Sequence, residues 1–180
     1  MSLPSFPYHP DPLLSGSIVA SDTKCVCCKQ SRGYIYTGPV FSEEDGLDDG
    51  LCPWCIADGS AHKTFDAVFV DDESIDGEIS KSAAEELTTR TPGFNSWQQE
   101  QWMVCCDDAM AFVEPFGAAE VNGKYIRRQG DVMTYIVHTM GISGGAATRL
   151  MNSLNREKGP TAYLFQCRHC DTQKVYIDSL

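Results

Sequence analysis

Short runs of alternating apolar and polar residues, separated by glycine, proline and acidic residues, recur along the chain and predict β-strands. Residues 33–37, Gly-Tyr-Ile-Tyr-Thr, place their aromatic side chains on one face of such a strand. Residues 65–70, Phe-Asp-Ala-Val-Phe-Val, alternate with the same period. Residues 161–166 and 174–177 predict two further strands, one before and one after a pair of cysteines, so a β-hairpin is expected near the end of the chain.

Helices are predicted where apolar residues recur every three or four positions or where a residue favours a helix start. The predicted helices cover residues 53–61, 80–90, 96–104 and 130–140, and a last one starts at Ser143. Serines stand at the expected N-cap of the second and third of these helices. The fourth stretch is also rich in β-branched residues, which suits a strand, but its apolar spacing favours a helix.

These elements predict an α+β protein with zinc-ribbon-like β knuckles, a helical middle and a C-terminal β-hairpin. Neither an internal repeat nor a linker divides the chain, so residues 1–180 are expected to form one domain. Its parts are an N-terminal zinc-knuckle half over residues 1–70, a helical middle over 78–157 and a C-terminal knuckle hairpin over 160–180.

The beginning of the chain is an extended arm. Residues 3–12 contain four prolines, which exclude a helix. We expect Phe6, Tyr8, Leu13 and Leu14 to anchor this arm on the domain. The P-x-x-P spacing of its prolines leaves a second interpretation, a ligand for an aromatic groove of a partner, although no lysine or arginine flanks it.

Cysteine spacing is the strongest chemical signal in the chain. Cys25 and Cys28 form one C-x-x-C pair, and Cys52 and Cys55 form another after 23 intervening residues. Two such turns, each offering two sulfurs, complete the tetrahedron that a structural Zn²⁺ prefers. We therefore predict one zinc ion bound by these four residues. Cys27 lies inside the first turn and is expected to point away from the metal.

A second group of cysteines gives a weaker signal. The candidate ligands of a second zinc are Cys105, Cys106, Cys167 and Cys170. The second pair of these has knuckle spacing, whereas the first pair follows a predicted helix and contributes at least one sulfur. The fourth ligand is left open between the other cysteine, Asp108, His169 and His138. The alternative is a metal-free knuckle or thiols that only pack.

Composition narrows the class of protein. Hydrophobic residues make up 42% of the chain and charged residues 22%, as in soluble globular proteins. The chain starts without a secretory signal and has no apolar run of about 18 residues, so we expect no membrane insertion and a cytoplasmic location. Thiols stay reduced there, which favours metal binding over disulfides for the nine cysteines.

Three segments carry a family resemblance. They are residues 3–12, residues 52–61, which read Cys-Pro-Trp-Cys-Ile-Ala-Asp-Gly-Ser-Ala, and residues 163–170, which read Tyr-Leu-Phe-Gln-Cys-Arg-His-Cys. The chain resembles the CbrC family of bacterial proteins, which is named for an association with colicin E2 tolerance. That resemblance implies a bacterial cytoplasmic protein without an assigned biochemical activity, and it transfers no catalytic residue.

Two functional hypotheses follow, and the sequence leans towards the one that is not an enzyme. The first is a zinc-stabilised module that binds another protein. The second is a zinc-dependent or thiol enzyme centred on the Cys105/Cys106 and Cys167/Cys170 pairs. A thioredoxin-like role for Cys52-Pro-Trp-Cys55 is disfavoured because the surrounding βαβ pattern is absent.

Charge argues against nucleic acid as a partner. The chain has 14 basic and 25 acidic residues, a formal net charge of −11. Nucleic-acid binding depends on cations that neutralise phosphates, and Lys124, Arg127 and Arg128 are the one compact basic group in the sequence. We therefore expect a protein partner and no binding to DNA or RNA.

Overall fold

Small β-sheets with helices packed around them make up the fold of residues 2–178, the part of the chain that the computed structural model describes. The strands are β1 (Ile18–Ala20), β2 (Tyr34–Tyr36), β3 (Ile75–Asp76), β4 (Trp102–Cys105), β5 (Asp108–Ala109), β6 (Ala111–Phe116), β7 (Thr161–Gln166) and β8 (Gln173–Asp178). They form three sheets with the orders β1-β2, β3-β4-β5 and β6-β7-β8. The pairing of β3 with β4 is parallel and the other strand pairs are antiparallel.

Helices fill the segments between the sheets. They are α1 (Pro53–Ala57), α2 (Ser60–Phe65), α3 (Lys81–Arg90), α4 (Ala118–Asn122), α5 (Gln129–Thr134), which continues as a π-helical turn (Tyr135–Thr139), and α6 (Gly144–Ser153). Short 3₁₀ turns lie at Asp72–Ser74 and Ile126–Arg128. Across residues 2–178, every helix is too short or too polar to span a bilayer.

The C-terminal sheet has the longest strands and carries the main core. Strand β7 lies in its centre, and its first five residues are buried, as expected for a strand covered on both faces. Strands β7 and β8 form a hairpin whose last pair is Gln166 opposite Gln173. The α+β class is confirmed, and so are the two strands of this hairpin, which the sequence predicted over residues 161–166 and 174–177.

An aromatic cluster joins the C-terminal sheet to the loop before β4. Phe94 stacks on Phe112 with ring centroids 4.0 Å apart, and Tyr163 stacks on Tyr176 at 4.7 Å. Trp102 packs against the same group and is fully buried, and its indole N–H donates to the carbonyl of Met110. Burying rings of this size, with the indole N–H hydrogen-bonded, stabilises the contact between the β3-β4-β5 sheet, which contains Trp102, and the β6-β7-β8 sheet.

The region predicted as a helix over residues 96–104 is irregular and then extended, so that prediction was wrong. The Ser96 hydroxyl donates to the carbonyl of Gln98 instead of capping a helix. Trp97 is half-buried and donates to the hydroxyl of Thr161, whereas Trp102 is fully buried as the first residue of β4. Tertiary contacts therefore outweigh the local preference of Ser96 for a helix start, and the segment is not helical.

Two other boundaries differ from the sequence predictions. The helix expected over residues 53–61 divides into α1 and α2, because Gly59 takes a left-handed conformation with φ of 74° between them. The strand expected over 65–70 was wrong, since Phe65 ends α2 and Val68 forms only an isolated bridge with Phe41. The side chains of Phe69 and Val70 are nevertheless fully buried.

The remaining helix predictions were confirmed. Ser80 is the N-cap of α3, and its hydroxyl accepts from the N–H of Ala83. The stretch over residues 130–140 is helical, with Val132 and Ile136 buried against the C-terminal sheet. The last helix follows Ser143 directly.

The N-terminal arm is held down by its aromatic residues. Phe6 and Tyr8 are buried as predicted, and the carbonyl of Tyr8 accepts from the N–H of Phe112 at the edge of β6. Leu13 and Leu14 do not anchor the arm, since 44% and 42% of their surface is exposed. They lie in the turn that follows it, where an Asp11 carboxylate accepts from the N–H of Leu14 and the side chains point to solvent.

His9 is buried inside this arm. Its Nδ1 lies 2.7 Å from the carbonyl oxygen of Pro92, which can only accept, so Nδ1 carries the proton. Its Nε2 lies 2.8 Å from the hydroxyl of Ser15, and its ring packs edge-on against Phe112. The neutral imidazole is therefore satisfied on both sides, and burial lowers the pKa of His9 to about 4.

We expect His9 to stay neutral in the folded protein down to about pH 5, and this to reduce the stability of the fold as the pH falls from about 6.5 towards 4. The unfolded chain has the ordinary pKa of about 6.5, so it binds more protons than the folded state in this range. The free energy of unfolding should be fully retained above pH 6.5 and fall by about 2 kcal/mol between pH 7 and pH 5 through this residue.

An NMR titration of the His9 imidazole signals, identified by their absence in His9→Gln, measures the pKa directly. Urea denaturation of His9→Gln should show a weaker loss of stability on acidification than the unchanged chain. A His9 signal that titrates near pH 6.5 would contradict the expectation.

Candidate metal centres

Four cysteines from the N-terminal half meet in one group, here called the first cluster: Cys25, Cys28, Cys52 and Cys55. Their sulfurs all lie within 4.8 Å of one another. The closest pairs are Cys52 and Cys55 at 3.6 Å, Cys25 and Cys55 at 3.8 Å, and Cys28 and Cys52 at 3.8 Å. The residues that the C-x-x-C spacing paired in the sequence therefore face one another in space.

Two different local structures present these sulfurs. Cys25 starts a tight turn in which its carbonyl accepts from the N–H of Lys29, a residue with φ of 60°. Its own N–H donates to the carbonyl of Gln30, which closes the turn. Cys52 is the N-cap of α1, and Pro53 at the first helical position needs no hydrogen-bond partner. One helical turn then brings the sulfur of Cys55 beside that of Cys52.

The first cluster is buried, and its protonation is shared. The hydrogen bond with Cys52 is the largest influence on Cys25 and lowers the pKa of Cys25 to about 4. The same bond raises the pKa of Cys52, and burial raises the pKa of Cys55 to about 12. Without metal, the first cluster therefore holds its thiolate on Cys25 at neutral pH. A second thiolate is disfavoured because the two negative charges would repel each other.

Cys27 stays outside the first cluster, as its position inside the turn predicts. Its sulfur lies 3.6 Å from the hydroxyl of Ser60, at the start of α2. Cys27 is half-buried, and it belongs to neither group of four cysteines. It thus offers a control position for tests of the first cluster.

The other four cysteines form a second cluster: Cys105, Cys106, Cys167 and Cys170. Their sulfurs also lie within 4.8 Å of one another. The sulfur of Cys106 is 3.7 Å from Cys170 and 3.8 Å from Cys105, and Cys105 is 3.9 Å from Cys170. The fold thus brings together two segments more than 60 residues apart, and both members of the first pair take part.

A strained turn presents Cys106. Strands β4 and β5 pair with Cys105 opposite Asp108, so Cys106 and Asp107 are the two residues of a hairpin loop. Their φ angles are 56° and 57°, which is the left-handed pattern of a type I′ turn. Asparagine and glycine favour this turn, whereas a cysteine in it costs roughly 1 kcal/mol. A cysteine at position 106 therefore supplies a sulfur to the second cluster but makes the turn less stable than an asparagine would.

The second knuckle lies at the tip of the β7–β8 hairpin. The N–H of Cys167 donates to the carbonyl of Thr172, and the N–H of His169 donates to the Cys167 sulfur. A hydrogen bond with Thr172 lowers the pKa of Cys170 to about 6, and the hydrogen bond with Cys170 raises the pKa of Cys106 to about 12. The metal-free second cluster therefore carries its negative charge on Cys170.

Asp108 organises the surroundings of the second cluster without belonging to it. Its carboxylate accepts from Tyr8 at 2.9 Å, from Arg168 at 2.7 Å and from His169 at 2.7 Å. Burial would raise the pKa of Asp108, but the hydrogen bonds from His169 and Tyr8 and the charge of Arg168 outweigh it and lower that pKa. Burial, reinforced by Asp108, raises the pKa of Tyr8 to about 12.

Of the residues left open for the fourth position, the structure groups the other cysteine with the second cluster. Asp108 and His169 bind each other, His138 is exposed on the π-helical turn, and the remaining cysteine completes the second cluster. The roles of Tyr8 and Arg168, whose guanidinium also lies 4.4 Å from the Tyr8 ring, were not foreseen from the sequence. Their contacts join segments that no local pattern relates.

The separations between sulfurs match the size of a metal site. Zn–S bonds are about 2.3 Å long, which makes the edge of a tetrahedron of four thiolates about 3.8 Å. The close sulfur pairs are 3.6 to 3.8 Å apart in the first cluster and 3.7 to 3.9 Å apart in the second. Both clusters could therefore hold a metal ion.

The two clusters differ in their access to solvent. In the first cluster three sulfur-bearing residues are buried and Cys28 is half-buried. In the second cluster Cys106 and Cys170 are exposed. An open cleft of about 400 Å³ lies beside this second cluster and is lined by Tyr8, Ser80, Ser82, Ala83, Cys106, Asp107, Asp108 and His169.

Relieving the strain of the type I′ turn should stabilise the metal-free protein. We expect both Cys106→Asn and Asp107→Gly to raise the free energy of unfolding by about 1 kcal/mol, because each residue suits its place in the turn. Urea denaturation with a chelator and a reductant measures this. Asp107→Gly is the matched variant that keeps all four sulfurs. Unchanged or reduced stability in both variants would show that the turn is not strained.

Comparison with known proteins places the chain in a family. The model of an uncharacterised protein family, UPF0167, matches residues 3–179. The UPF0167 protein Mb2317 of Mycobacterium bovis is 42% identical over 177 residues, which cover 98% of this chain and 93% of the relative. The UPF0167 protein PA1536 of Pseudomonas aeruginosa is 42% identical over 179 residues, covering 98% and 97%. No solved structure matches. The chain therefore belongs to the uncharacterised protein family UPF0167.

Proposed function

We propose that this protein is a zinc-binding protein, with one Zn²⁺ in each cysteine cluster, that serves as a zinc-stabilised protein-interaction module. The observation that supports zinc binding is the spacing of the sulfurs, which agrees in both clusters with the edge of a zinc–thiolate tetrahedron. Four thiolates in tetrahedral arrangement are the donor set of structural zinc sites.

The proposed ions would act as cross-links within the fold. In the first cluster, the Cys25 turn and the start of α1 are held together. In the second, the β4–β5 turn is joined to the β7–β8 knuckle. Structural zinc contributes on the order of 10 kcal/mol to folding, which exceeds the net stability of many domains. Short strands and small sheets of this kind gain most from such cross-links.

The complete set of four thiols favours a structural role over a catalytic one. A catalytic zinc keeps a coordination position open for water or substrate, whereas both clusters here have four sulfurs. In the first cluster these sulfurs are mostly buried, which also excludes a substrate. A protein-interaction role is the function class that requires neither an open metal nor a reactive thiol.

Exposed apolar side chains support protein binding. Leu13 and Leu14 in the turn after the N-terminal arm and Val19 on β1 are each at least 39% exposed. The N–H of Ile18, next to Val19, donates to the carbonyl of Pro12, which holds the turn against β1. Contiguous apolar patches on a folded surface, unlike single exposed side chains, mark sites for other proteins, and we propose that these three residues form such a patch.

The basic residues support a protein partner over a nucleic acid. Lys124 donates to the buried carboxylate of Glu114, and Arg128 lies 3.2 Å from Asp131. Two of the three cations in the compact basic group are thus paired within the chain. Two zinc–tetrathiolate sites would add about −4 to a net charge that is already −11.

The resemblance to the CbrC family contributes only general properties of that family to the proposal. Membership in UPF0167 is compatible with that resemblance. We carry over from it only a bacterial protein of the cytoplasm, where reduced thiols bind zinc.

The second candidate function is a zinc-dependent or thiol enzyme at the second cluster. The observation in its favour is the open cleft that Cys106, Asp108 and His169 line together. For a catalytic zinc, one of the four sulfurs would have to leave the metal and admit water. If metal analysis finds one tightly held ion per chain in the second cluster, that result would favour the structural role over the catalytic one.

Metal analysis tests the zinc proposal. Protein purified without a chelator should contain two zinc ions per chain by elemental mass spectrometry after gel filtration. Cys52→Ser should lose one ion and melt at a lower temperature, because it removes a buried ligand of the first cluster. Cys170→Ser should lose the other ion.

Cys27→Ser is the matched control, since Cys27 has the same side chain in the same turn but lies outside both clusters. It should keep both ions and the melting temperature of the unchanged chain. Zinc-free protein that melts like Cys52→Ser would sink the proposal.

Affinity capture from a bacterial lysate tests the interaction role. The chain should enrich specific proteins, and Leu13→Ser/Leu14→Ser should lose them because it removes the exposed apolar turn. Ile126→Ser is the control, as Ile126 is 58% exposed outside this turn. Nuclease treatment should change nothing. Equal capture by all three proteins would speak against this surface.

A further inference from the structure

The two clusters present very different targets to small reactive molecules. In the second cluster Cys106 and Cys170 are exposed, whereas three of the four cysteines in the first cluster are buried. Cysteine oxidation follows exposure and thiolate character. Zinc-bound cysteines are thiolates in both clusters, so exposure is what distinguishes them.

Cys106 and Cys170 are also well placed to bond to each other. Their sulfurs are 3.7 Å apart, and a disulfide needs a separation of about 2.05 Å. Both residues lie at the tips of short hairpin turns, where a shift of less than 2 Å disturbs little packing.

The two other close pairs are less suitable. Cys105 and Cys170 are 3.9 Å apart, and Cys105 is half-buried. Cys105 and Cys106 are neighbours in the chain, so their Cα atoms are about 3.8 Å apart, which is below the 4.4 Å minimum usual for disulfides. Their bond would require a distorted peptide, whereas the pair from two separate hairpins has no such limit. Cys167 is buried, so it is the cysteine of the second cluster that an oxidant in solution reaches least easily.

We propose that the second cluster is an oxidation site, at which a hydroperoxide converts Cys106 and Cys170 into a disulfide and releases the metal ion, while the first cluster keeps its own. The release of metal rests on the zinc binding proposed above. The assignment of the disulfide pair rests on exposure and sulfur separation alone.

The chemistry balances with hydrogen peroxide as the oxidant. One thiolate sulfur attacks a peroxide oxygen, so that an S–O bond forms, the O–O bond breaks and hydroxide leaves. The second thiolate then attacks the sulfenic sulfur, which forms the S–S bond and expels a second hydroxide. Two protons from solvent convert both hydroxides to water. The thiolates lose two electrons, and the metal ion, left with Cys105 and Cys167 as ligands, dissociates.

The test uses the full-length Cys27→Ser protein, which removes the one cysteine outside both clusters. Its zinc content is measured first, and hydrogen peroxide is then added with a chromogenic chelator present. Peptide mass spectrometry maps the disulfide in zinc-loaded and in chelator-treated protein. We expect the peroxide to release one of the two zinc ions per chain. The Cys106–Cys170 disulfide should form in the zinc-loaded and in the chelator-treated protein, and reduction should restore zinc binding.

The outcomes separate this inference from the proposed function. Fewer than two zinc ions before oxidation would contradict the proposed function, and the disulfide map of the chelated protein would still decide the pair. Equal loss of zinc from both clusters, earlier loss from the first cluster, or a disulfide other than Cys106–Cys170 would overturn the oxidation site.

Discussion

The constraint on which this fold depends is that four sulfurs are held within 4.8 Å of one another at two places. Such a group cannot carry four negative charges unless a cation lies between them, because like charges at this distance repel strongly. Without metal, the charge settles on Cys25 in one cluster and on Cys170 in the other. A divalent cation is the group that lets all four thiols ionise and turns the repulsion into a cross-link.

The two clusters place this constraint in different surroundings. The first cluster adjoins an apolar core that includes Ile35, Leu51 and Ile56, so a metal ion bound there would reinforce hydrophobic burial. The second cluster joins two hairpin tips at the surface and retains a cysteine in a left-handed turn. The same set of four thiols thus offers a buried candidate metal site at one place and an accessible one at the other.

The parts that could be predicted from the sequence are those encoded by local spacing. The C-x-x-C pairs, the Ser80 cap and the run of strand-favouring residues along β7 each specify their structure over a few residues. The helix predicted over 96–104 was wrong because burial of Trp102 and its pairing in β4 decide that segment. The four cysteines of the second cluster were candidates from the sequence, but the choice between the fourth cysteine and Asp108, His169 or His138 stayed open. That choice and the hydrogen bonds of Asp108 depend on contacts between segments about 60 to 100 residues apart.

These long-range contacts connect the second cluster to the N-terminal arm. The Tyr8 hydroxyl donates to Asp108, which follows the strained turn that presents Cys106. The backbone of Tyr8 accepts from Phe112 in the aromatic core, and the neighbouring His9 packs on the same ring. The arm is therefore fixed at one end by a carboxylate whose neighbours are metal-ligand candidates. Because Asp108 also binds Arg168 and His169 from the knuckle, one carboxylate links the arm, the turn and the knuckle into a single hydrogen-bonded unit.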